Sequence, residues 1–172
     1  MIFVISIAIL FLLVFILVSI KFIALILSRN NAEKMFYKLH KCLLMQYDLI
    51  LQLLSESSKF MHNENAMISE TVDLINKSKE FTLKKDGSDR IIAYANTVLH
   101  NIDDIIKKSE TYIEDKQGFL NVLEKYNSEN TKFVNVAEHY NTSAKHLRHY
   151  IDVFPTSLIA RFINIKTMNS IY

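Results

Sequence analysis

The chain has 172 residues, 50% of them hydrophobic and 22% charged, with two glycines, one proline, no tryptophan and a formal net charge of +2. That length holds one ordinary domain with an appendage. Gly87 and Gly118 cannot supply the tight turns of a β-sandwich or barrel, nor the glycine-rich loops of a parallel α/β fold or a nucleotide fingerprint. Residues 30–172 carry 18 Lys and Arg against 18 Asp and Glu. A balance of zero argues against a nucleic-acid binder, which needs a basic face.

Residues 1–27 contain only Ser6, Ser19 and Lys21 as polar members. Met1–Ile20 is long enough to cross a hydrocarbon core of about 30 Å as a helix, with Lys21 snorkelling from its end. A cleaved signal peptide is disfavoured: no cation precedes the run, the run exceeds a usual signal core, and no small-residue cleavage site follows. Lys21, Arg29, Lys34, Lys38 and Lys41 all follow the run, so the positive-inside rule predicts an outside amino terminus and a cytoplasmic body. The single Cys42 has no partner for an internal disulfide and reads as a small core residue.

Helical periodicity continues after the span. From about Ala32 to Phe60, the residues Phe36, Leu39, Leu43, Ile50, Leu53 and Phe60 follow a 3-4 spacing, with Gln46 and Ser57 in the two remaining slots. Asn30-Asn31 alone separates this stretch from the membrane run, so the two can be one helix. A weaker helix is expected over Glu64–Phe81, from Ile68, Val72 and Ile75. Lys84–Asp89 reads as a loop, with Ser88 or Asp89 capping a third helix to Glu110. Ile91, Ala95, Val98, Ile102 and Ile105 form its apolar stripe, widened by Ile92, Leu99 and Ile106. The longest helix is expected over Ile113–Phe154, with Gly118 marking a break near its start and Pro155 ending it.

The predicted architecture is all-α: a single transmembrane helix (residues 1–29), then an antiparallel helical bundle with long, coiled-coil-like helices (residues 30–155). Residues 156–172 form a third, short amphipathic segment. Thr156 or Ser157 can cap a helix there, and the stretch through Lys166 has two cations and no acids. Arg161, Phe162, Ile163 and Lys166 are its candidate membrane-interface residues; a terminal helix closing the bundle is the competing reading.

Tyr140-Asn141, then Phe154-Pro155, then Leu158-Ile159-Ala160 and an aromatic tail resemble the end of LemA family proteins. Tyr47 to Leu54, with Asp48-Leu49-Ile50 at its centre, is similar to the family's Asp-Leu-Ile-Pro-Asn-Leu-Val stretch. His62 with Glu64, and Glu110-Thr111-Tyr112 followed by Phe119-Leu120, resemble two further blocks. Leu51 and Ile113 stand where the family usually has proline, and Ala137 where it tends to have arginine. The resemblance implies a divergent bacterial membrane protein with one amino-terminal span, a helical-bundle body and no established catalytic site.

Candidate chemistry is sparse. A di-metal carboxylate site needs Glu-x-x-His pairs, and the chain has none. His100, Asp103 and Asp104 have ligand spacing, but His100 and Asp104 lie off the stripe of Ile102 and Ile105. His139, His146 and His149 adjoin Lys145 and Arg148 and read as a hydrated basic surface, against a pH switch or a phospholipid contact. Ser55, Ser57 and Ser58 have no evident base; Asn76-Lys77-Ser78 and Asn141-Thr142-Ser143 are chance glycosylation matches. Tyr47, Tyr126, Tyr140 and Tyr150 read as core or core-edge residues.

No catalytic residue, metal or cofactor is assigned. The expected role is a non-catalytic scaffold or interaction protein at the bacterial inner membrane. Its expected partners are the bilayer and unidentified proteins, with homo-oligomerisation left open. The alternative is a membrane-organising protein that binds lipid through residues 1–27 and again through 156–166; an enzyme with an unrecognised site ranks below both.

Overall fold

The computed structural model describes residues 2–81, 87–109, 111–112 and 117–171. They form helices α1 (Ile2–Ser57), α2 (Asn65–Glu80), α3 (Gly87–Ser109), α4 (Gln117–Asp152) and α5 (Thr156–Phe162), with a 3-10 turn at His62–Glu64. No strand occurs among the described residues. Asn30 and Asn31 lie inside α1, which is unbroken. The proposed cap of α3 is corrected: the helix already includes Gly87, so Ser88 and Asp89 sit in its first turn. There the Asp89 carboxylate favours the positive end of the helix dipole. Lys84–Asp86, the rest of the anticipated loop, and Ile113–Lys116, the anticipated start of α4, lie outside the described residues.

The chain divides into two compact units, each assembled from separated stretches. One comprises residues 1–34 and 142–168; the other comprises 35–141 and 169–172.

The second unit holds the larger core. On α1 the buried positions are Phe36, Leu39, Leu43, Gln46, Tyr47, Ile50, Leu53, Leu54 and Ser57, which reproduces the anticipated 3-4 spacing. On α4 the large buried side chains recur every seven residues, at Phe119, Tyr126 and Phe133, then Tyr140. Val122 and Val136, on the same helix, are only half-buried, whereas Ala137 is buried. On α2 the stripe is Ile68, Thr71, Ile75 and Ser78, with Val72 displaced to its edge.

Two of those polar positions are satisfied by hydrogen bonds. Thr71 Oγ1 donates to the Met67 carbonyl at 2.7 Å, and Asn101 Nδ2 donates to Thr71 Oγ1 at 3.1 Å. Tyr47 Oη donates to Ser78 Oγ at 3.0 Å. At the end of α1, Phe60 packs on Tyr112 and edge-on against Phe119, each with ring centroids 5.7 Å apart.

The first unit is organised by a smaller core of Leu25, Ala32, Leu147, Ala160 and Ile165, with Ile26, Tyr150, Ile151, Ile159 and Met168 packed against it. Asn31 Nδ2 donates to Ser143 Oγ at 3.1 Å, joining α1 to α4 within this unit.

Candidate membrane-interface site

α1 is the one helix among the described residues that is long and apolar enough to cross a membrane. From Phe3 to Ile23 none of its described side chains is buried, and Phe3, Phe11 and Phe15 are each at least 70% exposed. At 1.5 Å per residue this stretch spans about 32 Å, matching a hydrocarbon core of about 30 Å. Burial begins abruptly at Leu25, one turn beyond Lys21.

The partners that bury Leu25 come from the far end of the chain. After α4 ends at Asp152, the chain turns through Val153–Pro155 into α5. The expected side-chain cap is absent: Pro155 is the cap residue, and Thr156 Oγ1 instead donates to the Val153 carbonyl at 2.7 Å. Proline suits a helix start because it has no N–H to leave unpaired.

The other end of α5 is closed by a Schellman motif. Asn164 adopts a left-handed conformation with φ of 53°. Its N–H donates to the Arg161 carbonyl at 3.2 Å, and the Ile165 N–H donates to the Ala160 carbonyl at 2.9 Å. Asparagine tolerates this conformation better than other non-glycine residues. The turn delivers Ile165 onto Ala160 and thus into the core around Leu25.

α5 is therefore two-faced. Thr156 and Ala160 are buried, whereas Leu158 is 49% exposed and Phe162, four residues on, is 90% exposed. Phe154 is 74% exposed, Ile163 is at the margin of exposure, and Arg161 and Lys166 are both exposed. Ile159 is half-buried against the core, and Pro155 is half-buried. The unit holding this helix carries seven Lys and Arg against Glu33 and Asp152, a formal charge of +5. The other unit carries 13 Lys and Arg against 16 acids, or −3. Without Lys21 and Arg29 the two units stand at +3 and −3, a segregation that the neutral average of residues 30–172 conceals.

The remaining motif residues are structural in placement. Ile50 is buried, Leu49 is half-buried, and Asp48 pairs with Lys79 at 2.9 Å on the surface. Tyr140 is fully buried and donates from Oη to the Asn169 carbonyl at 2.6 Å. Asn141 binds both backbone groups of Ile171, a tail contact that no periodicity in the sequence foretold.

Among the described residues, no group of three or more His, Cys, Asp and Glu is placed to hold a metal ion. His100 Nε2 lies 3.8 Å from Asp104 on the surface, and His146 and His149 are exposed. Ser57 is buried but donates to the Leu53 carbonyl at 2.8 Å. Burial pushes the Tyr47 hydroxyl up to about 12 and holds the His40 imidazole below its usual value. Comparison with protein-family models, curated proteins and solved structures finds no match to the chain.

Proposed function

We propose that this chain is a membrane-anchored, LemA-like scaffold that recruits protein partners to the bacterial cytoplasmic membrane without catalysing a reaction. The observation that carries the anchor is the largely apolar stretch of α1 from Phe3 to Ile23, none of whose described side chains is buried, followed by a packed core that begins at Leu25. An apolar surface of that extent is untenable in water and matches a bilayer in length. The cations that follow it favour an outside amino terminus and a cytoplasmic body.

An antiparallel bundle is supported by cross-helix pairs. Glu64 meets Lys108 and Thr71 meets Asn101, so positions rise on α2 as they fall on α3. The 3-4 spacing of buried residues on α1 and the seven-residue recurrence on α4 favour coiled-coil-like packing. The scaffold reading draws on the use of the Tyr140-Asn141 motif to hold the chain's own tail rather than to face a cleft. The LemA assignment rests on the motifs around Asp48, Tyr140 and Phe154.

Alkaline extraction of membranes from expressing cells, with a reporter fused to the carboxyl terminus, tests the anchor and its orientation. Retention in the membrane with an intracellular reporter signal is expected. Release into the supernatant overturns the anchor, and an extracytoplasmic signal overturns the orientation. Turnover by the purified full chain, abolished by one point substitution, overturns the scaffold reading.

A further inference from the structure

The exposed face of α5 is attached to α1 at the level where the apolar span ends. Ala160 and Ile165 share a core with Leu25, the first buried side chain after the span, and Ile159 packs against that same core. Leu158 and Phe162 stand about 40° apart around α5, while Ala160 lies on the opposite side. The turn before the helix adds Phe154 and Val153, 74% and 44% exposed. Arg161 on the helix and Lys166 just past its closing turn are both exposed, in a unit whose formal charge is +5.

A helix with large apolar side chains on one face and cations beside them suits the boundary between acyl chains and anionic headgroups. We propose that the outer face of α5, with Phe154, Leu158 and Phe162, docks into the headgroup region of the bilayer that α1 spans, and that Arg161 and Lys166 bind its anionic phospholipids. This rests on the anchor reading above and adds a second, shallow membrane contact to it. The occupant is the bilayer because α5 packs on the turn of α1 that follows the span, and because its charge complements an anionic leaflet. Docking at this depth holds the unit against the membrane instead of leaving it to pivot about a single helix.

The absence of tryptophan makes the test clean. The full chain carrying Phe162→Trp is reconstituted into anionic vesicles containing lipids brominated at shallow or deep acyl positions. Leu158→Trp serves as a second reporter should the first perturb folding, and Tyr37→Trp, at a site 54% exposed in the other unit, is the solvent control. The proposal expects blue-shifted emission from Phe162→Trp and stronger quenching by shallow than by deep bromine. Adding Arg161→Gln and Lys166→Gln lowers the ratio of membrane-seated to solvent-exposed reporter about fivefold per cation.

Solvent-like emission that acrylamide quenches and bromolipid does not would overturn the proposal. A blue shift without bromolipid quenching, together with a dimeric mass in detergent, assigns the face to a second copy and overturns it too. Failure of the chain to remain with vesicles after alkaline washing is a different result, and removes the anchor reading itself.

Discussion

The side-chain amide of Asn141 pairs with both backbone groups of Ile171: Nδ2 donates to the carbonyl and Oδ1 accepts from the N–H, each at 3.0 Å. An amide side chain here does what a neighbouring strand does, and it ties a tail without helix or strand to α4. Tyr140 holds the Asn169 carbonyl two residues earlier, and Ile171 is fully buried as a result.

Asn141→Ala removes both bonds, and Asn141→Asp turns the donor into a second acceptor facing the Ile171 carbonyl. Each substitution is expected to cost about 1–3 kcal/mol. The tail should then become accessible to carboxypeptidase, and the Ile171 amide should lose protection against hydrogen exchange. Unchanged protection in both variants would show that the Tyr140 bond and burial of the Ile171 side chain hold the tail without Asn141.

Tyr47 makes the fold sensitive to alkali. Its hydroxyl is raised from 10.0 to about 12, chiefly by burial, with its hydrogen bond to Ser78 acting weakly in the other direction. The unfolded chain therefore loses this proton first as pH rises. The stabilisation is fully present below pH 10 and is lost between pH 10 and about 12, with a magnitude of about 2–3 kcal/mol. Denaturant titrations in detergent across this window should show a steeper loss for the natural protein than for Tyr47→Phe. At neutral pH, Tyr47→Phe should itself cost about 1 kcal/mol for the lost hydrogen bond.

Gln46 is 1% exposed, and neither its Nε2 nor its Oε1 has a hydrogen-bond partner among the described residues. It occupies a slot in the buried 3-4 row of α1 where a hydrophobic residue is expected. Burying an unpaired amide costs about 1–3 kcal/mol, so Gln46→Met, nearly equal in volume, should raise stability by about that amount. A buried polar residue in such a row can also fix register or association state. Sedimentation of the variant in detergent tests that role: a changed mass distribution assigns specificity to Gln46, and an unchanged one assigns it none.

Gly118 lies in the first turn of α4, and a Cβ placed there would meet Glu56 Oε2 at 2.5 Å. That oxygen ends a flexible side chain whose present partner is the exposed Lys59. Glu56 can swing aside at the expense of a surface ion pair of small value. Gly118→Ala should therefore range from neutral to about 1 kcal/mol stabilising, since alanine is the better helix former. Thermal denaturation decides the matter; a loss of more than about 1 kcal/mol would mean that Glu56 is held more firmly than its geometry implies.

Much of the architecture was legible because large apolar residues recur at every third or fourth position along the second half of α1 and along α3. The row from Phe36 to Leu53 and the stripe from Ile91 to Ile105 are buried as their spacing demands. Thr71 and Ser78 escaped notice because periodicity counts them as polar, whereas local hydrogen bonds make them admissible inside. Leu25 escaped for the opposite reason: leucine facing lipid and leucine facing a core are the same letter. The two roles separate only when Leu147 and Ala160 are seen against it. At the carboxyl end, Asn164 was a readable signal, an asparagine just past an apolar run, but the tail beyond it is held through backbone groups that leave no pattern in the sequence.

The core around Leu25 also sets an order of events during synthesis. Leu25 and Leu147 are 122 residues apart, so at 5–20 residues per second the ribosome delivers the second about 6–24 s after the first. On the proposed anchor reading, the apolar stretch of α1 has time to enter a bilayer long before the residues that complete its own unit exist. Until then Leu25 and Ala32 lack Leu147, Ala160 and Ile165, the side chains that close their core.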